Sequence, residues 1–184
     1  MRDATAEELD RAFAAIVDQD SGEVRVDGRG FVLVQRETMA ELQRGLEEIL
    51  GRGAESVLVR VGYKRGTELS ERLVALVGDN ADAFVEGLRV YAGRTGLCRV
   101  EGVAVDPPKV VIRASNSFIA MGYGSSGRPV CHYLRGVLLA AGERLLHRKE
   151  LECVETTCFA AGDPECGFEV TPLPGSGATS SPGV

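Results

Sequence analysis

The sequence contains no tryptophan, and aromatic residues make up only 5% of its 184 residues. Because 44% of the residues are nonetheless hydrophobic, the core must be built mainly from valine, leucine and alanine. Positive charge is also scarce, since 21 Lys and Arg stand against 27 Asp and Glu, which gives a net charge of −6. Phosphate binding needs clustered Lys and Arg, so the composition argues against a nucleic-acid surface.

Long apolar runs are missing as well, and no run approaches the roughly 20 residues that cross a bilayer. The first segment, MRDATAEELDRAF, lacks the apolar stretch of a signal peptide. We therefore expect a cytoplasmic protein without a membrane span. Disulfides are rare in that compartment, so clustered cysteines indicate metal or redox chemistry. A chain of this length can form one domain with a substantial core.

Apolar residues at helical spacing predict most of the helices. Residues 5–18 form the first, with Thr5 as N-cap and Glu8 completing a capping box. Further helices are expected from about 39 to Gly51, from about 54 to 76, after Asp79, and near 116–121, and Pro129 is expected to open another. Gly62 and Gly66 interrupt the helix expected from about 54 to 76, and they either kink this helix or admit close packing.

Alternating or clustered β-branched residues predict the strands. The predicted strands lie at 23–26, 31–34, 99–105, 109–113, 150–157 and 167–171. The strand at 31–34 is expected to be buried. The tail 172–184 has little apolar content and is expected to be disordered. The sequence thus predicts one α+β domain over residues 1–171, with helices packed on a mainly antiparallel sheet.

Four of the five cysteines follow position 130. Cys158 and Cys166 flank a turn, so two strands of a hairpin could present both sulfurs to one ion. Cys131 is predicted in the first turn of a helix, where the helix dipole favours a thiolate. Three thiolates and one further ligand would complete the tetrahedral shell that zinc prefers.

The fourth ligand is left open by the spacing. Glu155 is the first choice, Cys153 the second and His132 the third. Two other readings of the cysteines compete with a metal site: they are buried, unreactive thiols, as free cysteines often are, or Cys158 and Cys166 form a redox pair.

Specific motifs add a resemblance to this picture. Pro129-Val130-Cys131-His132, Glu155-x-x-Cys158 and Gly162-Asp163-Pro164-x-Cys166-x-Phe168 resemble the 4-vinyl reductase domain, which is often described as hydrocarbon-binding. The upstream half resembles the sensory domain of XylR-type transcription activators, which respond to aromatic compounds. That likeness is carried by residues 30–34, 62–66, 100–102 and 116–118.

The resemblance implies a zinc ion held by three cysteines and a glutamate, which fall on Cys131, Glu155, Cys158 and Cys166 within residues 129–171. Four protein ligands leave no open position for water, so the implied role of the zinc is structural. The implied fold is the one shared with TRAPP-complex subunits and haem-based nitric oxide sensors, whose members commonly dimerise. Haem itself is not expected, because Tyr123, Ser125 and Arg128 do not have the Tyr-x-Ser-x-Arg spacing of the haem clamp.

The resemblance also implies a ligand pocket between the sheet and the helices. Phenol-responsive members hold the phenol hydroxyl with a His and a Trp, and this sequence has Cys98 and Ala114 at those positions. The expected pocket is therefore apolar rather than phenol-specific. Its expected lining residues are Cys98, Val100, Ile112, Ala114, Phe118 and Tyr123, with ordinary core packing as the alternative for each.

The function expected from these features is a sensor or carrier for a small apolar or aromatic molecule, with a homodimer or a downstream signalling partner as its output. We favour a role without catalysis. One alternative is an enzyme or accessory factor in tetrapyrrole 4-vinyl reduction, although Gly122-x-Gly124-x-x-Gly127 lacks the βαβ context of a dinucleotide loop. A second alternative is an assembly domain resembling TRAPP subunits.

Overall fold

Helices and two antiparallel sheets make up residues 6–174, the part of the chain that the computed structural model describes. The helices are α1 (Ala6–Ala12), α2 (Arg36–Leu50), α3 (Gly53–Val77), α4 (Ala81–Arg94), α5 (Phe118–Tyr123) and α6 (His132–Leu145). The strands are β1 (Ala15–Asp18), β2 (Glu23–Val26), β3 (Arg29–Phe31), β4 (Arg99–Asp106), β5 (Lys109–Ser115), β6 (Leu151–Thr157) and β7 (Cys166–Pro172). This arrangement confirms the expected α+β fold.

The smaller sheet has the order β1-β2-β3 and corrects two predictions. The predicted helix over 5–18 ends at Ala12, because the following β-branched residues Ile16 and Val17 pair with β2 instead. Thr5, its predicted N-cap, lies outside the described residues. The predicted buried strand over 31–34 was wrong: β3 ends at Phe31, and the next two residues, Val32 and Leu33, are 79% and 81% exposed.

The larger sheet has the order β4-β5-β7-β6, and all of its neighbouring strands are antiparallel. Its strands coincide with the four predicted in the second half of the chain, within a few residues at each end. Strand β7 runs through Pro172, one residue past the predicted domain boundary, and residues 175–184 of the predicted tail lie outside the described residues.

Helices α3 and α6 pack closely because glycines line their contact. A Cβ atom at Gly62 would overlap the carbonyl oxygen of Tyr133, and one at Gly136 would overlap the carbonyl oxygen of Val59. A Cβ atom at Gly66 would lie 2.6 Å from the carbonyl oxygen of Val137. Of the two roles considered for Gly62 and Gly66, the structure therefore shows close packing within one continuous helix.

The core lies between the helices and the larger sheet. Helix α6 rests on the sheet so closely that a Cβ atom at Gly142 would be 2.7 Å from Val170. Among the fully buried side chains are Phe13, Phe84 and Phe168, each contributing about 2 kcal/mol by leaving water. No helix among residues 6–174 is long and apolar enough to cross a bilayer.

Helix α6 begins at His132, three residues after the predicted start at Pro129. Cys131 is the N-cap and has a non-helical backbone, with φ −81° and ψ 43°. Its N–H donates to the Glu155 carboxylate at 2.8 Å, so a side chain from the sheet caps the helix. Cys131 therefore lies at the helix terminus rather than in its first turn.

Candidate metal centre and ligand cleft

Four buried side chains from separate elements meet at one end of the larger sheet. They come from the N-cap of α6 (Cys131), from β6 (Glu155), from the turn after β6 (Cys158) and from the first residue of β7 (Cys166). One ligand atom of each, three sulfurs and a carboxylate oxygen, all lie within 4.8 Å of one another. We call these four residues the cluster, and it could hold a metal ion.

Hydrogen bonds hold the sulfurs of the cluster in place. The Sγ atoms of Cys131 and Cys166 are 3.8 Å apart. The Phe159 N–H donates to Cys166 Sγ at 3.5 Å, and the Ser117 hydroxyl lies 3.1 Å from Cys131 Sγ. Polar contacts of this kind orient ligands and are typical around metal sites.

The turn between β6 and β7 has a backbone that only certain residues allow. Gly162 has φ 106°, a conformation that a side chain would strain. The Asp163 carboxylate accepts a hydrogen bond from the Cys158 N–H at 2.8 Å. A Cβ atom at Gly167 would lie 2.7 Å from Thr157 Oγ1, so β7 approaches β6 closely at this point. The turn thereby brings Cys158 and Cys166 together in the cluster.

The electrostatics of the cluster favour a cation. Burial raises the pKa of Glu155 to about 8, and its Oε1 has no hydrogen-bond partner within residues 6–174. Hydrogen bonds with the Cys131 and Cys166 thiols lower the pKa of Cys158. For Cys131 the direction is opposite: hydrogen bonds with Cys158 and Cys166 raise its pKa. A bound cation would replace the protons of these groups and could engage Glu155 Oε1.

The two competing fourth ligands lie elsewhere. Cys153 is on the same face of β6 as Glu155, but it does not belong to the cluster, and burial raises its pKa to about 12. His132 faces α2, with Nε2 4.0 Å from Glu47 Oε1, and burial lowers its pKa. Of the three candidates, the structure brings only Glu155 to the three sulfurs.

A cleft of about 720 Å³ lies between the smaller sheet, the chain segment 32–34 and helices α2 to α6. We call this space the cleft. Its apolar lining includes Val26, Phe31, Val32, Leu33, Val34, Met39, Leu69, Tyr91, Leu97, Phe118 and Tyr133. Its polar lining includes Asp27, Arg29, Arg36, Arg65, Glu68, Arg72, Thr95 and Asn116.

The six predicted pocket residues divide into three groups. Phe118 lines the cleft. Four others, Cys98, Val100, Ile112 and Ala114, are buried in the hydrophobic core against which Phe118 and Leu97 pack. Tyr123 donates a hydrogen bond to Glu47 Oε2 at 2.7 Å, and the Arg44 guanidinium lies over its ring at 4.4 Å.

Sequence reasoning missed most of the cleft. Phe31, Tyr91 and Tyr133 were not among the predicted pocket residues, although they line it with Phe118. The chain has six Phe and four Tyr, so four of its few aromatic residues face this one space. The scarcity of aromatic residues was the available signal in the sequence. The four residues are far apart in the chain, however, so the sequence did not show that they line one space.

Two family models match the chain. The model of the 4-vinyl reductase domain matches residues 110–172, which contain the whole cluster. The model described as activator of aromatic catabolism matches residues 14–107, slightly more than half of the chain, and most residues of the cleft lie in this range.

The chain is also similar to individual proteins. An uncharacterised protein of Methanocaldococcus jannaschii is 32% identical over 108 residues, covering 59% of this chain and 61% of the relative. The chain thus spans about three fifths of that relative's length.

Among solved structures, the phenol-responsive sensory domain of the transcription activator PoxR, with phenol, matches with a TM-score of 0.72. It is 18% identical, and the match covers 93% of this chain and 92% of that one. A trafficking protein particle complex subunit 3 from Naegleria fowleri, covalently bound to palmitic acid, matches with a TM-score of 0.50 at 18% identity, covering 74% and 93%. These likenesses show the fold.

Proposed function

We propose that this chain, which belongs to the family described as activator of aromatic catabolism and carries a 4-vinyl reductase domain, is a sensory or carrier domain for a small apolar or aromatic molecule. The cleft carries this proposal, because its volume of about 720 Å³ and its aromatic lining suit such a ligand. The PoxR domain, which has a similar fold, was solved with phenol.

Ligand binding is tested by titrating the purified protein with a panel of neutral aromatic compounds, by calorimetry and by thermal shift. A compound at 100 times its Kd should stabilise the protein by about 2.7 kcal/mol. Phe118→Ala should weaken binding, because Phe118 lines the cleft and meets the Tyr133 ring edge-on at 5.9 Å. Phe159→Ala is the matched control, since Phe159 is 48% exposed and outside the cleft. If neither the neutral compounds nor aromatic compounds that carry a carboxylate change the melting temperature, the sensor proposal is wrong.

We also propose that the cluster binds one zinc ion through Cys131, Glu155, Cys158 and Cys166. Tetrahedral ligands with Zn–S distances of about 2.3 Å stand about 3.8 Å apart, and the Sγ atoms of Cys131 and Cys166 are separated by 3.8 Å. Four protein ligands would close the shell, so the zinc would crosslink α6 to the β6–β7 hairpin rather than activate water. Elemental analysis should find about one zinc per chain, and folded protein without any metal would contradict this.

A homodimer is the third part of the proposal. Val32, Leu33 and Val34 are consecutive, apolar and 79%, 81% and 46% exposed, and Ile49 of α2 is 80% exposed. Exposed apolar segments of this kind mark interaction surfaces. Analytical ultracentrifugation should therefore find a dimer, and a monomer at all concentrations would contradict it.

A catalytic role in vinyl reduction has less support from the structure. Gly122 lies within α5, Gly124 is the residue that ends it, and the spacing Gly122-x-Gly124-x-x-Gly127 therefore does not follow a strand directly. Gly122 packs against α2, where a Cβ atom would overlap the Arg36 carbonyl oxygen, and Gly124 ends α5 with φ 72°. Both glycines have packing or turn roles, so this spacing does not indicate a dinucleotide site.

A further inference from the structure

The charges that line the cleft do not balance. Four arginines, Arg29, Arg36, Arg65 and Arg72, face the space together with two carboxylates, Asp27 and Glu68. This leaves two positive charges in excess, in a chain whose net charge is −6. The local excess therefore does not follow from the overall composition.

The ion pairs show where the excess lies. Glu68 Oε2 is shared by Arg65 Nη1 at 2.8 Å and Arg29 Nη1 at 3.4 Å, so one carboxylate serves two guanidinium groups. Asp27 is paired with Arg72.

The fourth arginine has only a neutral partner among residues 6–174. Arg36 Nη1 donates to the amide oxygen of Asn116 at 3.4 Å, a long hydrogen bond without a counter-charge. Arg36 is therefore free to engage an anion from solution.

Aromatic rings lie next to these charges. Tyr91 and Tyr133 line the cleft, and burial raises the pKa of both. The charges of Arg29, Arg72 and Arg65 act on Tyr91 in the opposite direction, which places them within electrostatic reach of its ring. A flat ligand against the aromatic wall would thus bring a substituent near the guanidinium groups.

We propose that the ligands of the cleft are aromatic carboxylates, whose ring packs among Tyr91, Phe118 and Tyr133 and whose carboxylate pairs with the arginines. The inference rests on the proposed binding function and names its ligand class. A carboxylate supplies the missing negative charge, and the planar guanidinium group can donate two hydrogen bonds to it. A neutral aromatic compound would leave the charge excess uncompensated.

The test compares naphthoate with naphthamide, which has the same ring system without the charge, by calorimetry on the purified protein without added chelator. Naphthoate should bind roughly tenfold more tightly, because hydrogen bonds to charged groups are stronger than those to neutral ones. Decanoate, which has the same charge on a flexible aliphatic chain, should bind more weakly than naphthoate.

Arg36→Gln and Arg65→Gln should each weaken naphthoate binding several-fold and leave naphthamide binding almost unchanged. Arg60→Gln is the matched control: Arg60 is an exposed arginine of α3, five residues before Arg65, and does not line the cleft. Unchanged melting temperatures would show that the variants fold.

Equal affinity for naphthoate and naphthamide would overturn the carboxylate class while leaving the sensor proposal in place. Tighter binding of decanoate would overturn the aromatic part. If neither naphthalene compound binds at millimolar concentration, the inference is wrong, and the panel of neutral compounds then decides separately whether the sensor proposal also fails.

Discussion

The cluster and the cleft differ in how they are enclosed. All four cluster residues are buried, and backbone N–H groups donate hydrogen bonds to Glu155 Oε2 and to Cys166 Sγ. The cleft is bordered by exposed side chains, among them Val32, Leu33 and three of its four arginines. A closed site of thiols and a carboxylate suits a permanently bound ion, whereas an open cleft suits a ligand that exchanges.

The two regions are nevertheless neighbours in the structure. Cys131 belongs to the cluster, and Tyr133, two residues later at the start of α6, lines the cleft. The start of α6 therefore connects the two regions, and each can be perturbed separately to test the contrast.

The largest effect is expected at the cluster. Cys158→Ser removes one sulfur of the proposed zinc site, so, if zinc is bound there, the variant should lose it together with about 4 kcal/mol of unfolding free energy. That corresponds to a fall in Tm of roughly 10 °C, measured by calorimetry beside elemental analysis.

Cys153→Ser is the control for this variant, because Cys153 is buried in the same strand as Glu155 but outside the cluster. It should keep the metal and lose about 1 to 2 kcal/mol, the cost of burying a hydroxyl. Metal loss in Cys153→Ser, with retention in Cys158→Ser, would reverse the assignment of the ligands.

The next largest effect on stability is expected at the contact between helices α3 and α6, which contribute residues to the cleft and, through the start of α6, to the cluster. Gly136→Ala places a methyl group against the backbone of Val59, which cannot move away as a side chain could. Overpacking of this kind should cost about 3 kcal/mol, measured by urea unfolding. Gly45→Ala in α2, whose Cβ would meet nothing within 4 Å, should instead stabilise by up to about 1 kcal/mol. Equal effects of both variants would contradict the close helix contact.

A smaller effect is expected at Glu47 of α2. Its carboxylate binds Tyr123 and Arg128, which lie in the segment before Cys131 of the cluster. Burial alone would raise the pKa of Glu47, but hydrogen bonds from Tyr123 and Gln43 and the charge of Arg128 outweigh it, so the pKa is lowered from 4.5. A lowered carboxylate pKa contributes stability above pH 4.5 that is lost as the pH falls through the folded value.

Glu47→Gln should therefore reduce stability at neutral pH by about 1 kcal/mol and flatten the decline below pH 4.5. Melting curves measured across this pH range check the prediction. An acid decline as steep as in the unchanged protein would show that Glu47 does not contribute to it.

The smallest effect on stability is expected at the margin of the cleft. Leu33→Ser should change the unfolding free energy by less than about 0.5 kcal/mol, because Leu33 is 81% exposed. It should weaken the proposed dimer in sedimentation experiments, whereas Val154→Ser, at a 44% exposed position on β6, should not. A dimer that is unaffected by Leu33→Ser would place the interface elsewhere.

Local patterns in the sequence predicted most of the second half of the fold. Strands β4 to β7 follow from β-branched residues around two Pro-containing turns, and α4 begins after Asn80, whose side chain accepts a hydrogen bond from the Ala83 N–H. The first 35 residues were harder, because four apolar residues in a row, such as 31–34, are compatible with a buried strand or an exposed segment. Pairing partners decide between these, and residues 32–34 follow the last strand of the smaller sheet.

The cluster and the cleft also differed in how far the sequence revealed them. Cys158 and Cys166 flank one short turn, so their proximity could be read from spacing, and the motif resemblance favoured Glu155 over Cys153. The arginines and aromatic residues of the cleft come from β3, α2, α3, α4, α5 and α6. No local pattern connects residues so far apart, and so the predicted pocket shared only Phe118 with the observed cleft.

The sequence by itself determined the family, the α+β class and the three cysteines of the cluster, because these depend on motifs and on periodicity within short segments. The tertiary structure alone decided that Gly62 and Gly136 bring two helices into backbone contact, and that four arginines surround a space with only two carboxylates. Packing distances and charge balance arise between elements that are distant in the chain, so they exist only once the elements have come together.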